Sequence, residues 1–204
     1  MPDYSIELQL PLERCPHCYV AKPLLGKVWG GRTHDHAGGH LREWAAYACQ
    51  SCGGVVTCAA GVDATGRLVT RISEMYPATT SVNQDIPDRA RTYLTQALES
   101  IHAPAGSVML AASAVDAMLK AKGRTSGTLY ERIQAAAVDH LITTDMAAWA
   151  HDVRLDANDQ RHSDDSVALP NQADAKRCVE FAMALAEFLF VLPARVARGR
   201  GGRK

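Results

Sequence analysis

The chain has 204 residues, 47% of them hydrophobic, and 22 basic side chains balance 22 acidic ones. That length holds a small module plus one ordinary core of about 115 residues, and no run approaches the eighteen apolar residues of a membrane span, which excludes a membrane partner. The opening Met1-Pro2-Asp3-Tyr4-Ser5-Ile6-Glu7 has neither a basic n-region nor an apolar h-region, so the expected location is cytoplasmic, with reduced thiols.

The neutral total hides an asymmetry. Residues 1–77 carry seven basic and seven acidic groups, residues 78–192 carry ten and fifteen, and residues 193–204 carry five and none. Three segments are expected from this: a cysteine-bearing module over 1–77, an acidic helical module over 78–192, and a disordered basic tail over 193–204.

Ser5 to Leu10 reads as a short strand leading into Cys15-Pro16-His17-Cys18, and Trp44 to Ala48 as another leading into Cys49-Gln50-Ser51-Cys52. Two C-x-x-C knuckles present four thiolates to one tetrahedral ion. Four sulfurs at roughly 2.3 Å make a closed structural zinc site with no place for substrate water. A thioredoxin-like redox motif would not explain the second pair, and a disulfide pair would need an oxidising compartment. The expected metal ligands are therefore Cys15, Cys18, Cys49 and Cys52, with Pro16 stiffening the first knuckle and Gly53 and Gly54 turning the chain after the second. His17 is read as a bystander, and Cys58 and Cys178 as small buried apolar residues.

Between the knuckles, Trp29 to His40 holds His34, His36 and His40 among four glycines. Nothing in the local sequence fixes their ring geometry, so a solvated loop is expected in preference to a second metal site. Val55 to Cys58 and Leu68 to Ile72 read as two further strands, joined by a hairpin turn at Asp63-Ala64-Thr65-Gly66. A small sheet of this size has a core worth about 3 to 5 kcal/mol, whereas structural zinc contributes roughly 10 to 16 kcal/mol of apparent binding energy.

After Tyr76-Pro77 the period changes from 2 to 3.6. Pro87 opens a helix with Ala90, Tyr93, Leu94, Ala97, Leu98 and Ile101 on one face. A second helix runs from about Ala105 to Lys122 before Gly123, and Thr128 with Glu131 makes a capping box for a third ending near Asp139. Thr144 caps a fourth carrying Met146, Trp149, Ala150 and Val153. A fifth, from about Ala173 to Leu192, should be the most buried, with Pro193 ending it. The fold class is α+β: a small β zinc ribbon followed by an all-α bundle of about five helices.

The order of these segments, with Ile86-Pro87-Asp88 and the stretch from Trp149 to His162, resembles the bacterial domain-of-unknown-function family 4145, which is grouped with HEPN-like helical domains. Arg154, Asn158 and His162 are similar to that family's arginine, asparagine and histidine. At i, i+4 and i+8 they stand on one helix stripe. The resemblance to active HEPN ribonucleases implies a metal-independent endoribonuclease, typically with its site at a dimer interface. In it His162 acts as general acid or base at the ribose 2′-hydroxyl or the leaving oxygen, and Arg154 stabilises charge on the phosphate.

Seven residues separate Arg154 from His162, however, where the active pattern has four to six. Residues 152–165 also set Asp152, Asp156, Asp159, Asp164 and Asp165 against only Arg154 and Arg161, which repels RNA. A structural role stays open, with Arg154 paired to Asp116 or a neighbouring aspartate and with Asn158 and His162 capping the helix end; so does a binding role. In the tail, Arg195, Arg198, Arg200, Arg203 and Lys204 are candidates for contact with nucleic-acid phosphates, or simply a solubilising end. The favoured expectation is a zinc-binding, non-catalytic adaptor that dimerises or docks a protein partner through the helices, in nucleic-acid transactions or defence as the resemblance implies.

Overall fold

Strand-forming and helix-forming patterns segregate along the chain, and the fold follows that division. The computed structural model describes residues 4–62, 68–79, 81–162 and 168–201, without the side chains of 68, 70 and 159–162. Two units result, Met1–Thr80 and Ser81–Lys204.

The first unit is an antiparallel four-stranded meander, β1 (Leu25–Thr33), β2 (Arg42–Cys49), β3 (Val55–Val62) and β4 (Leu68–Tyr76), in that spatial order. Alternation decides which face is covered. Ala45, Tyr47 and Cys49 of β2 and Val56, Cys58 and Ala60 of β3 point into a core with Leu10, Leu12, Cys15 and Leu25. The Tyr47 hydroxyl, buried with its ring, donates to the Glu7 carbonyl at 3.0 Å. Cys58 is fully buried, and burial pushes its thiol up to about 11.

Ser5 to Leu10 is not a regular strand. It divides its pairing between the two edges of the sheet, with bridges from Ser5 to Arg71 on β4 and from Gln9 to Gly26 on β1. Neither edge can then hold more than a residue or two of it, and both are partly blunted. Nor is Trp29 to Thr33 a loop, because those residues pair with β2 from Trp29↔Ala46 to Thr33↔Arg42, and cross-strand pairing offsets the weak strand preference of Gly30 and Gly31. The turn that follows is tied by Asp35, whose carboxylate accepts from the N–H groups of Ala37 at 2.9 Å and Gly39 at 2.8 Å. The proposed hairpin turn at Asp63 to Gly66 lies outside the described residues.

The second unit is built from α1 (Asp88–Glu99), α2 (Pro104–Ala121), α3 (Leu129–Val138), α4 (Thr144–His162), α5 (Gln172–Ala186) and α6 (Leu192–Gly201). The last two are continuous through a π-helical turn at Glu187–Val191. The central element is α2, which packs on α1, α3, α4 and α5. Its Ala111, Ala112, Ala114 and Ala117 let neighbours approach from several sides, a property that a search for one apolar stripe undervalues. Ser107, fully buried at the α1–α2 contact, donates to the Ala97 carbonyl at 2.7 Å.

Both bonds of the Thr128–Glu131 capping box are present. The cap of α4 is Thr143 and not Thr144, since Thr143 Oγ1 accepts from the Met146 N–H at 3.1 Å. Asn171 caps α5 together with Asp174, a capping box written in four consecutive residues of the sequence. Pro193 does not stop the last helix. Proline has no N–H to give the preceding turn, and the wider turn just before it, in which Leu192 N–H donates to the Glu187 carbonyl, carries the chain through. The described part of the basic tail, to residue 201, is therefore helical rather than disordered.

Among the described residues Arg132, 8% exposed, is the buried cation of the bundle. Its Nε lies 2.8 Å from Asp116, its second terminal nitrogen 2.7 Å from the same carboxylate, and its remaining one bonds the Gly127 carbonyl. Replacing Asp116 with alanine strands that guanidinium among carbonyls alone. The expected loss is about 3 kcal/mol of helical-unit stability, read from urea unfolding followed by circular dichroism.

Candidate functional site

The two knuckles are shaped by their backbones. In the first, Tyr19 N–H donates to the Cys15 carbonyl at 2.9 Å and Tyr19 itself takes a positive φ of 61° to turn the chain. In the second, at the end of β2, Gly53 N–H donates to the Cys49 carbonyl at 2.8 Å with φ of 71°, a conformation glycine adopts without cost. Gly54 has a different reason: a Cβ there would meet the His17 ring at 2.6 Å.

Those turns bring the sulfurs of Cys15, Cys18, Cys49 and Cys52 within 4.8 Å of one another. A tetrahedron with metal–sulfur bonds near 2.3 Å has edges of about 3.8 Å, and the Cys15–Cys52 sulfur separation is 3.9 Å. The cluster could hold a metal ion. N–H groups already converge on it, from His17 to the Cys15 sulfur and from Gly54 to the Cys52 sulfur, each at 3.4 Å. Cys18 and Cys49 are pushed in opposite directions. Burial, then the neighbouring sulfurs, push Cys18 up to about 12. At Cys49 burial acts in the same direction but is outweighed by N–H groups of Ser51 and Cys52 and by the Cys15 and Cys52 thiols, which bring it down to about 7. A cation between the sulfurs would take the place of their protons.

His17 stands outside the cluster, its Nε2 2.9 Å from the Val55 carbonyl. His34, His36 and His40 are exposed, and no group of three metal-ligating side chains forms around them among the described residues.

On α4 the i, i+4 spacing does bring Arg154 and Asn158 together, in one cavity of about 360 Å³ with Ala112, Thr128, Tyr130 and Ala157. The His162 side chain lies outside the described residues. Arg154 does not pair with Asp116, which Arg132 and Lys120 already occupy, the latter at 2.6 Å. Its guanidinium instead lies 5.4 Å from the centre of the Tyr130 ring.

His151, not singled out from the sequence, belongs to the same cluster. Its ring is 4.8 Å from that of Tyr130, and its Nε2 accepts from the Gln134 amide at 2.8 Å. Burial, then the Arg154 charge, lower its pKa below 6.5. A helix turn of three residues separates His151 from Arg154, which is the signal that could have found it.

The basic tail is less free than its composition implies. Arg195 pairs with Glu187 at 3.0 Å, and Arg198 grips the Asp85 carboxylate at 2.8 and 2.9 Å and holds its pKa down. Arg200 is exposed, and Arg203 and Lys204 lie outside the described residues.

The family described as "Domain of unknown function (DUF4145)" matches residues 95–200. The chain belongs to the DUF4145 family. No curated protein and no solved structure matches it. The DUF4145 region runs from within α1 into α6, so it takes in Arg154, His151 and the tail arginines Arg195, Arg198 and Arg200, and leaves the four cysteines in a separate N-terminal unit.

The lowered His151 pKa has a stability consequence with a definite sign. Between 6.5 and its folded value the unfolded chain takes up a proton that the folded chain refuses, so stability falls as pH drops through 6.5 and levels off below the folded value. Urea midpoints of the helical unit at pH 7.5 and 5.5 should show this loss, and His151→Gln should reduce it.

Proposed function

We propose that this DUF4145 protein is a zinc-stabilised, non-catalytic interaction protein of the bacterial cytoplasm. In this reading Zn²⁺ is held by Cys15, Cys18, Cys49 and Cys52 and closes the first unit, while the helical unit dimerises or docks a protein partner. The observation that carries it is the four-sulfur cluster, with its 3.9 Å edge and its convergent N–H groups. Four thiolates complete a tetrahedron and leave no open position, and His17, the histidine of the first knuckle, is spent on a carbonyl. When bound, the ion supplies folding energy to a sheet of only four short strands.

Docking by the helical unit is supported by large apolar side chains left on its surface. Trp149, Leu155, Phe188 and Leu192 are 36 to 47% exposed. The tail arginines support nucleic-acid contact less well, since Arg195 and Arg198 already have carboxylate partners.

Two measurements test this. Metal analysis with native mass spectrometry should find one zinc per chain, lost in Cys49→Ser together with amide-exchange protection in β2 and β3; a folded, metal-free protein rejects the zinc. Single-stranded RNA incubated with the protein at micromolar concentration, with and without EDTA, should remain intact. Cleavage that survives EDTA and disappears in His162→Ala would replace the adaptor with the endoribonuclease alternative using Arg154 and His162.

A further inference from the structure

An edge strand exposes a row of N–H and C=O groups that another extended backbone can pair. In the first unit β1 is such an edge, with β2 as its only strand neighbour. The N-terminal segment covers the start of its outer side, where Leu10 N–H donates to the Leu25 carbonyl at 3.0 Å and Lys27 N–H to the Leu8 carbonyl at 2.9 Å. The register of β1 on β2 shifts between Lys27 and Trp29, and past that shift no described backbone pairs with the outer side of Trp29 to Thr33.

Two glycines stand in the middle of this open stretch, where they weaken the strand but let a second backbone come close. Being consecutive, Gly30 and Gly31 open one position on each face. A neighbour's side chain lies over each opening. A Cβ on Gly30 would meet the Lys27 Cε at 2.9 Å and its Nζ at 3.1 Å, and one on Gly31 would meet the Trp29 ring at 2.6 Å. The open edge thus has an ammonium laid along one face and an indole along the other, and Trp29 is 56% exposed.

Arg32, two residues beyond Gly30, adds a guanidinium on the face that Lys27 covers. β1 itself contains no carboxylate. Glu43, the one carboxylate of β2, lies opposite Arg32 without an ion pair to it, and neither Lys27 nor Arg32 has a carboxylate partner among the described residues.

Those charges select the occupant. A second copy fits badly, because in a two-fold antiparallel pairing each residue meets one of its own face, so the pairing must centre on a residue. Centred on Gly30, the two lysine ammonium groups meet. Centred on Gly31, each Arg32 lies opposite the glycine that the other copy's Lys27 covers; centred on Arg32, the two guanidinium groups face each other. Every register that uses the open stretch sets cation against cation.

We propose that the outer edge of β1 from Trp29 to Thr33 takes an extended acidic segment of a partner protein as an added strand. Carboxylates at every second position of that segment meet Lys27 and Arg32 on one face, and the apolar side chains between them lie against the Trp29 indole on the other. This surface belongs to the first unit, so it stands or falls apart from the docking assigned to the helical unit.

Fluorescence anisotropy of the full chain with a labelled hexapeptide of alternating glutamate and valine tests it. The peptide should bind, and the same peptide with lysine for glutamate should not. Lys27→Glu and Arg32→Glu should each weaken binding about fivefold, and the double variant should prefer the lysine peptide. Backbone pairing has its own signature: the glutamate N–H groups of a strand point to one edge and the valine N–H groups to the other. N-methylation of the glutamates alone or of the valines alone should therefore abolish binding in one case and spare it in the other. Absence of binding by the unsubstituted protein at millimolar peptide overturns the proposal, as does equal affinity for the lysine peptide or equal behaviour of the two N-methylated forms. Displacement of the peptide by oligodeoxythymidylate would assign the edge to a nucleic acid and overturn it as well.

Discussion

Four sulfurs packed within 4.8 Å of one another are the constraint on which the first unit depends. They join two distant parts of the chain: the first knuckle lies in the irregular N-terminal segment, and the second closes β2 toward β3. The N-terminal segment reaches the sheet only through short stretches of pairing: bridges at Ser5 and Gln9, backbone bonds at Tyr4, Leu8 and Leu10, and the Tyr47 hydroxyl on the Glu7 carbonyl. Its Leu10, Leu12 and Cys15 nevertheless form part of the core. The cysteines therefore complete the lid of a core that the four strands cover on one side only. Burial pushes the Cys15 and Cys18 thiols up, and a cation among the sulfurs would take the place of their protons.

The helical unit solves a different problem. Its centre, α2, meets four helices, and small residues allow that where a stripe of leucines would not. Close packing leaves little room for charge, yet Arg132 is there, with every part of its guanidinium bonded to Asp116 or to carbonyls. Arg154, on the neighbouring helix, is the contrast. One arginine is satisfied by the fold and the other is not, and that difference separates a structural cation from one that faces a cavity. The minus-three balance around Arg154 in the sequence loses force once Asp156 is seen to be spent on Arg177.

Legibility varied with how local the physics is. The four-cysteine cluster came from spacing alone, because two residues between cysteines call for a tight turn wherever the chain goes. The capping box at Thr128 came through for the same reason, all its partners lying within four residues. Errors arose where a distant partner decides. Trp29 to Thr33 reads as a glycine-rich loop until β2 pairs with it, and Ser5 to Leu10 reads as a strand until two edges compete for it. Pro193 reads as a stop, since from one residue nothing shows that a π-helical turn can precede it.

By itself the sequence determined the α+β division, the four cysteines, and the helical stretches with their caps, each a property of neighbours along the chain. Only the tertiary structure decided where charges end up. It gave Asp116 to Arg132, Asp85 to Arg198 and, among the described residues, a ring face and no carboxylate to Arg154, because ion pairing depends on which helices meet, and helical periodicity carries no record of the partner across the interface.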